Sequence, residues 1–176
     1  LIAKGAKKIT AKLNSHLEIL NLIESTIITV NSKHLTSALT IDNFSNIRHQ
    51  EKILENALKM LKFFNQVIIA AEKDEFLWRS LRNYLNELNR IKIENESSLI
   101  LMSLINIDFL IKLGTALGLM PAAEEQVHYF QRPTIEMIKL ISEGKTQELI
   151  ASGNLLELKK IDYNKIEEDL KEKMIL

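Results

Sequence analysis

Residues 99–120 read Leu-Ile-Leu-Met-Ser-Leu-Ile-Asn-Ile-Asp-Phe-Leu-Ile-Lys-Leu-Gly-Thr-Ala-Leu-Gly-Leu-Met, and this run decides the fold class. It is apolar on every side of a helix. Such a helix is either the centre of a packed bundle or a membrane element. Twelve of its residues are Leu, Ile or Phe. Together they favour a membrane span by roughly 4–7 kcal/mol, while Asp108 and Lys112 each cost about 2.5–3.5 kcal/mol and Asn106 adds to that. The balance near zero predicts the central helix of a bundle, over about 98–119.

The two charges sit four residues apart with the acid first, the better order for an intrahelical pair. Two alternatives follow for Asp108 and Lys112. They form a buried pair against a neighbouring helix, which sets register, or they face a cavity where Asp108 meets a cationic ligand. Gly114 and Gly118 form a GxxxG pattern, read as a site of close helix packing or a frayed last turn.

Outward from this run, the chain carries signals for further helices. Only 5 Gly and 2 Pro occur in 176 residues, whereas sheets draw on both at their turns. The expectation is an all-α bundle of five to seven helices, forming a single domain over 1–176, with 145–176 as a possible smaller helical subdomain. A first helix is expected from Ala6 to His34. Its seam is Ile9, His16, Ile23 and Val30 with Leu13, Leu20, Ile27 and His34. A loop over 35–43 is expected next, followed by helices over 45–72 and 74–93, the latter capped by Asp74. Ser97 or Ser98 is expected to cap the apolar helix. Pro121 is placed to open the next helix, Pro133 to break it or start another, and Gly144 to end that one. Short helical pieces are expected over 147–151 and 155–160, around Gly153, and a last helix from Asp162.

Composition narrows the function classes. Lys and Arg total 23, as do Asp and Glu, so the chain is neutral. That argues against nucleic acid as a partner, because duplex binding draws on a basic surplus. There is no cysteine, hence no disulfide, thiolate nucleophile or cysteine-bound metal. This fits either redox compartment and leaves localisation open. A start at Leu1 reads as a processed or trimmed chain, and its first residues lack the apolar core of a signal peptide. Lys4, Lys7, Lys8 and Lys12 crowd the start of the first expected helix, against its dipole.

No nucleophile elbow, P-loop, zinc or calcium motif occurs. Glu125 and His128 have ExxH spacing, but di-iron bundles need two such pairs and two further acids. No other histidine has an acid three residues before it. No metal, cofactor or catalytic residue is implied. His16 and His34 fall in the expected seam and are read first as hydrogen-bonded boundary residues, with an interface switch on protonation as the alternative.

The strongest surface signal is Trp78, Arg79, Arg82 and Tyr84 on the expected third helix, since Arg and aromatics dominate interface hot spots. Phe63, Phe64 and Phe76 lie nearby, as core or as the lining of an apolar pocket. The reading is a non-catalytic module acting through protein contacts, with a different partner or a second copy. A membrane-associated protein is the alternative and is not favoured. A small-molecule-binding bundle comes next and an enzyme last.

Overall fold

The computed structural model describes residues 14–29, 33–68, 74–122, 125–143 and 161–175. The expected start of the first helix, Lys4 to Lys12, lies outside them. So do the end of the second helix, Gly144, Gly153 and the short helices over 147–151 and 155–160. The chain is mostly helical with one small two-stranded sheet. It divides into two compact units, Leu1–Ser45 and Asn46–Leu176.

The first unit corrects the expectation of a helix from Ala6 to His34 and a loop over 35–43. A 3-10 turn at Asn14–His16 leads to strands β1 (Leu22–Thr29) and β2 (Lys33–Asp42), paired antiparallel. The reason lies in side-chain shape. Ile23, Thr26, Ile27, Ile28 and Thr29 are β-branched, a residue class whose stiff χ1 suits a pleated surface better than a helix. A heptad count sees their spacing and misses their branching. Thr36, Thr40 and Ile41 do the same for β2, where the threonines read as loop formers in the sequence. The register shifts between Leu22 and Ile23 and again between Thr26 and Ile27. At the end of β2 the Asp42 carboxylate accepts the Phe44 N–H at 2.8 Å, holding Phe44 at φ 45°.

The second unit is helical. Helix α1 (Ser45–Arg48) is short, and α2 spans Glu51–Val67. The single helix expected over 45–72 is therefore divided. Gln50 is extended at the break, and its side chain serves the C-terminal end of the helix Glu75–Arg90 instead. Its amide donates to the Ile91 carbonyl at 2.9 Å and accepts the Ile93 N–H at 2.8 Å. Asn46 donates to the carbonyls of Asn89 and Ile91, both at 2.7 Å. Asn89 in return accepts the N–H groups of Asn46 and Ile47. Side-chain amides thus satisfy the orphan groups of two helix ends at once.

Helix α3 (Glu75–Arg90) starts as its sequence predicts, with the Asp74 carboxylate accepting the Leu77 N–H at 3.0 Å. Helix α4 (Glu96–Ala116) is the apolar run. Its cap is Asn95, which accepts the Ser98 N–H at 3.1 Å, and not Ser97 or Ser98. Pro121 does not open the next helix; α5 is a short turn at Gln126–Tyr129. Pro133 stands in the first turn of α6 (Arg132–Ser142), where its missing N–H is harmless. Helix α7 (Tyr163–Ile175) follows Asp162, which accepts the Lys165 N–H at 3.2 Å.

Helix α4 packs against α3 on one side and α7 on the other, while α6 packs on α7. By length and composition alone α4 would cross a membrane. In the fold it buries Ile100, Leu104, Ile107, Phe109, Leu110 and Leu113. Each such side chain contributes about 1.5–3 kcal/mol on leaving water. Gly114 faces Met120 and Met174, and a Cβ there would stand 3.0 Å from the Met120 Sδ. Half of the GxxxG pattern is thus a close-packing site. The other half, Gly118, ends the helix in the left-handed region at φ 68°. Behind it the Leu119 N–H returns to the Gly114 carbonyl at 2.8 Å.

Replacing Gly118 by Ala should therefore lower unfolding stability by about 1 kcal/mol in urea titration, because a Cβ disfavours this backbone region. Gly118→Asn should lose less. An unchanged midpoint for Gly118→Ala would show that the helix end is not held in this conformation.

Candidate functional site

Asp108 and Lys112 are not buried against a neighbouring helix. The covered arc of α4 leaves one stripe, Leu101, Ile105, Asp108, Lys112 and Thr115, toward solvent. On it Lys112 donates to Asp108 at 2.6 Å, with side chains 52% and 39% exposed. The expectation of a buried pair is corrected. The charges lie on the less covered face of the helix, so they carry little of the desolvation cost that made them conspicuous. An exposed pair of this spacing contributes only about 0.3–0.5 kcal/mol.

The buried polar centre is Asn106, 2% exposed. Its amide makes a reciprocal pair with Asn56 of α2, donating at 2.9 Å and accepting at 2.8 Å. The second amide hydrogen reaches Glu167 of α7 at 2.8 Å. The carbonyl oxygen also accepts the Tyr84 hydroxyl of α3 at 3.1 Å. Every donor and acceptor of the Asn106 amide is engaged. Glu167 is completed by Lys171, 3.3 Å away, whose ammonium stands over the Phe63 ring. No buried side-chain polar atom among the described residues is left unsatisfied. In the sequence Asn106 registers only as a penalty on an apolar run. The signal that could have found its role is Asn56, a polar residue between Ile53 and Ala57 on the buried face of α2.

This setting pushes the Tyr84 hydroxyl well above the ordinary tyrosine value. Burial is the main cause, the Glu167 charge adds to it, and the bond from Asn56 opposes it. Burial alone raises Tyr163, to about 12.

The aromatic residues form a chain through the interior. Tyr84 stacks on Phe109 at 4.5 Å, Phe109 meets Phe64 at 6.0 Å, and Phe64 meets the Trp78 edge at 6.0 Å. Phe63, Phe64 and Tyr84 are buried in the core. Trp78 is the outer end of the chain, 59% exposed, and Phe76 is 51% exposed. Arg82, one turn beyond Trp78 on the same edge of α3, is exposed and makes no ion pair among the described residues. Arg79 pairs with Glu75 at 2.9 Å. Sequence reasoning placed Trp78, Arg79 and Arg82 together, and the helix does present all three on its outer side.

The remaining candidates are dispersed. Thr134 and the Gln131 N–H both donate to the buried carboxylate of Asp169, at 2.6 and 2.9 Å, tying α6 to α7. A cleft of about 380 Å³ opens between these two helices. His128 is exposed on α5, and no cluster of three metal-ligating side chains occurs among the described residues. His16 lies on the 3-10 turn, and its expected helical seam with His34 does not exist.

Two predictions separate the two polar sites of α4. Asn106→Ala should cost about 2–4 kcal/mol in urea unfolding, because it strands Asn56, Tyr84 and Glu167 at once. Asp108→Asn should change stability by less than about 0.5 kcal/mol. The reverse order would place the buried group at 108. The tyrosines add a pH test. Folding favours the neutral phenols of Tyr84 and Tyr163, so their contribution is complete below pH 10.0 and is lost as pH rises through the folded-state values. The unfolding midpoint should fall above about pH 10, and the fall should flatten in the Tyr84→Phe/Tyr163→Phe variant. Tyrosinate absorbance appearing for Tyr84 at that pH with the fold intact would contradict its burial.

The chain matches no family model, no curated protein and no solved structure.

Proposed function

We propose that the chain is a non-catalytic interaction module whose helical unit engages a protein partner through the outer face of α3. The observation that carries this reading is Trp78. An indole more than half exposed, rigidly backed by Phe64, has little conformational freedom left to lose on binding. Arg82 beside it offers a planar fork of donors with no internal ion pair among the described residues. Trp and Arg are the residue types that most often anchor protein interfaces. Phe76 widens the apolar area at the same end of the helix. The polar centre at Asn106 supports the same reading from the other side. Its groups are saturated by one another, so they hold four helices in register and present no free donor or acceptor to a substrate.

The test is co-purification of the whole chain from its source, with Trp78→Ala/Arg82→Ala in parallel. A stoichiometric complex with the native chain, weakened at least tenfold in the variant, is the expected result; hot-spot truncations cost about 2 kcal/mol or more. A complex that survives the double variant places the interface elsewhere. In the same series, Trp78 emission should not respond to anionic liposomes. A blue shift with dye release would replace this reading with a membrane-active one.

A further inference from the structure

We infer that the seam between α2 and α3 takes an acidic amphipathic helix of a partner protein, with a carboxylate seated between Lys62 and Arg82. The inference rests on the reading of the outer face of α3 given above and names the chemistry of the partner.

The two helices run antiparallel. Phe64, near the end of α2, meets Trp78 at the start of α3, while the Gln50 side chain, just before α2, reaches Ile91, just after α3. These contacts also identify the stripes that face each other. On α3, Trp78 touches Phe64 and Asn89 holds the N–H groups of Asn46 and Ile47. Residues three and four apart share a helix face, so Arg82 and Leu85 lie on the stripe between them. On α2, Leu54, Leu58 and Leu61 follow Gln50 at the same spacing. The opposite flank of α2 is turned to α7, since Phe63 lies under Lys171. Leu85 is buried beneath the seam, and Leu54 and Leu61 are half-buried along it. Leu58 is 37% exposed, so an apolar strip continues across to Trp78.

The charges beside this strip do not balance. Glu55, Glu75 and Glu87 are each taken by a cation of their own helix, Lys59, Arg79 and Arg90. Glu51 stands in the first turn of α2, where the helix dipole favours an acid. Lys62 and Arg82 are exposed and make no ion pair among the described residues. Measured from the Phe64–Trp78 contact, they stand within about one turn of each other along the seam, one on each helix. Two cations flanking an apolar strip attract a carboxylate and repel a cation.

The shape of the occupant follows from the walls. Helices of 17 and 16 residues give a seam of about 25 Å, the length of a helix of four to five turns. A partner helix laid along it meets Leu58, Leu61 and Trp78 with apolar residues at i, i+3 or i+4, and i+7, and reaches the cations with an acid at the edge of that face. A lipid surface draws instead on clusters of about four to eight cations. Only the two on these rims are unpaired here.

The experiment uses the whole chain and Trp78, its only tryptophan, as the reporter. The probes are two tryptophan-free helical peptides of about four turns with the same leucine face, one flanked by glutamates and one by lysines. The acidic peptide should shift Trp78 emission saturably, bind at least about tenfold tighter than the basic one, and weaken with added salt. In Lys62→Glu/Arg82→Glu the preference should invert, and Leu58→Ala should weaken binding of the acidic peptide. Should the charge reversal disturb the far-ultraviolet spectrum, Lys62→Gln/Arg82→Gln should abolish the preference in its place. Equal binding of the two peptides, binding of neither, or a preference unchanged in the double variant overturns the inference. So does a native chain that self-associates in sedimentation and becomes monomeric in the double variant, which would assign the seam to a second copy. A co-purified complex that depends on Trp78 while the peptides show no preference removes this inference and leaves the interaction reading standing; a complex indifferent to Trp78 removes both.

Discussion

The helical unit depends on the reciprocal amide pair between Asn56 and Asn106. Most of what surrounds it is non-directional. The apolar faces of α2, α3, α4 and α7 would be nearly as content if α4 turned by a residue or slid by a turn, because α4 is apolar over most of its circumference. An amide pair has no such tolerance. Rotation of α4 would bury four unpaired donors and acceptors, and each stranded group costs about 1–3 kcal/mol. One buried polar residue on a largely apolar helix therefore selects one packing among many of similar energy. The role matches that of a single buried asparagine in a coiled-coil seam, where register is gained at some cost in stability.

Glu167 extends the same constraint to α7 in a form that depends on charge. Its side chain is 14% exposed, and its carboxylate is met from both ends, by the Asn106 amide and the Lys171 ammonium. That charge, far along the chain from Asn106 and Tyr84, also helps to keep the Tyr84 phenol neutral. The result is a closed set of groups in which each fixes the state of the next. Asp169, two residues further along α7, repeats the device toward α6 by accepting the Gln131 N–H and the Thr134 hydroxyl. The last helix thereby connects the centre of the unit to α6 through acids on its inner side.

How much of this is legible in the sequence follows from the range of each interaction. Local signals survive folding. Asp74 before an amphipathic run, Pro133 in a first turn and the charged pair Asp108–Lys112 act within four residues, and each appears as read or in the expected pairing. The core role of α4 comes from composition, which is also local. The misreadings have definable causes. The hairpin resembles a helix in sequence because Ile23, Ile27 and Val30 fit a heptad, and periodicity cannot see that β-branched density favours strands. Asp108 draws attention because charge in an apolar run is conspicuous, yet the stripe it occupies is set by which arc α3 and α7 cover. Asn106 escapes notice because a buried amide reads as a cost until its partners, 22, 50 and 61 residues away, are known.

The two units place their residual chemistry differently, and the reason is topological. A helix satisfies its backbone within itself apart from its ends, and here side chains serve those ends: Asp74, Asn95, Asp162 and the Asn46–Gln50–Asn89 clasp. What the helical unit can still offer outward is side chains alone, among them the exposed Trp78 and Arg82. A two-stranded sheet cannot close its own backbone, since half of its ladder groups face outward on two edges. Additional strands, barrels and covering helices all remove such edges by adding chain. This hairpin blocks part of one edge with a single imidazole, fastened by Asn21, at the cost of a left-handed Leu20.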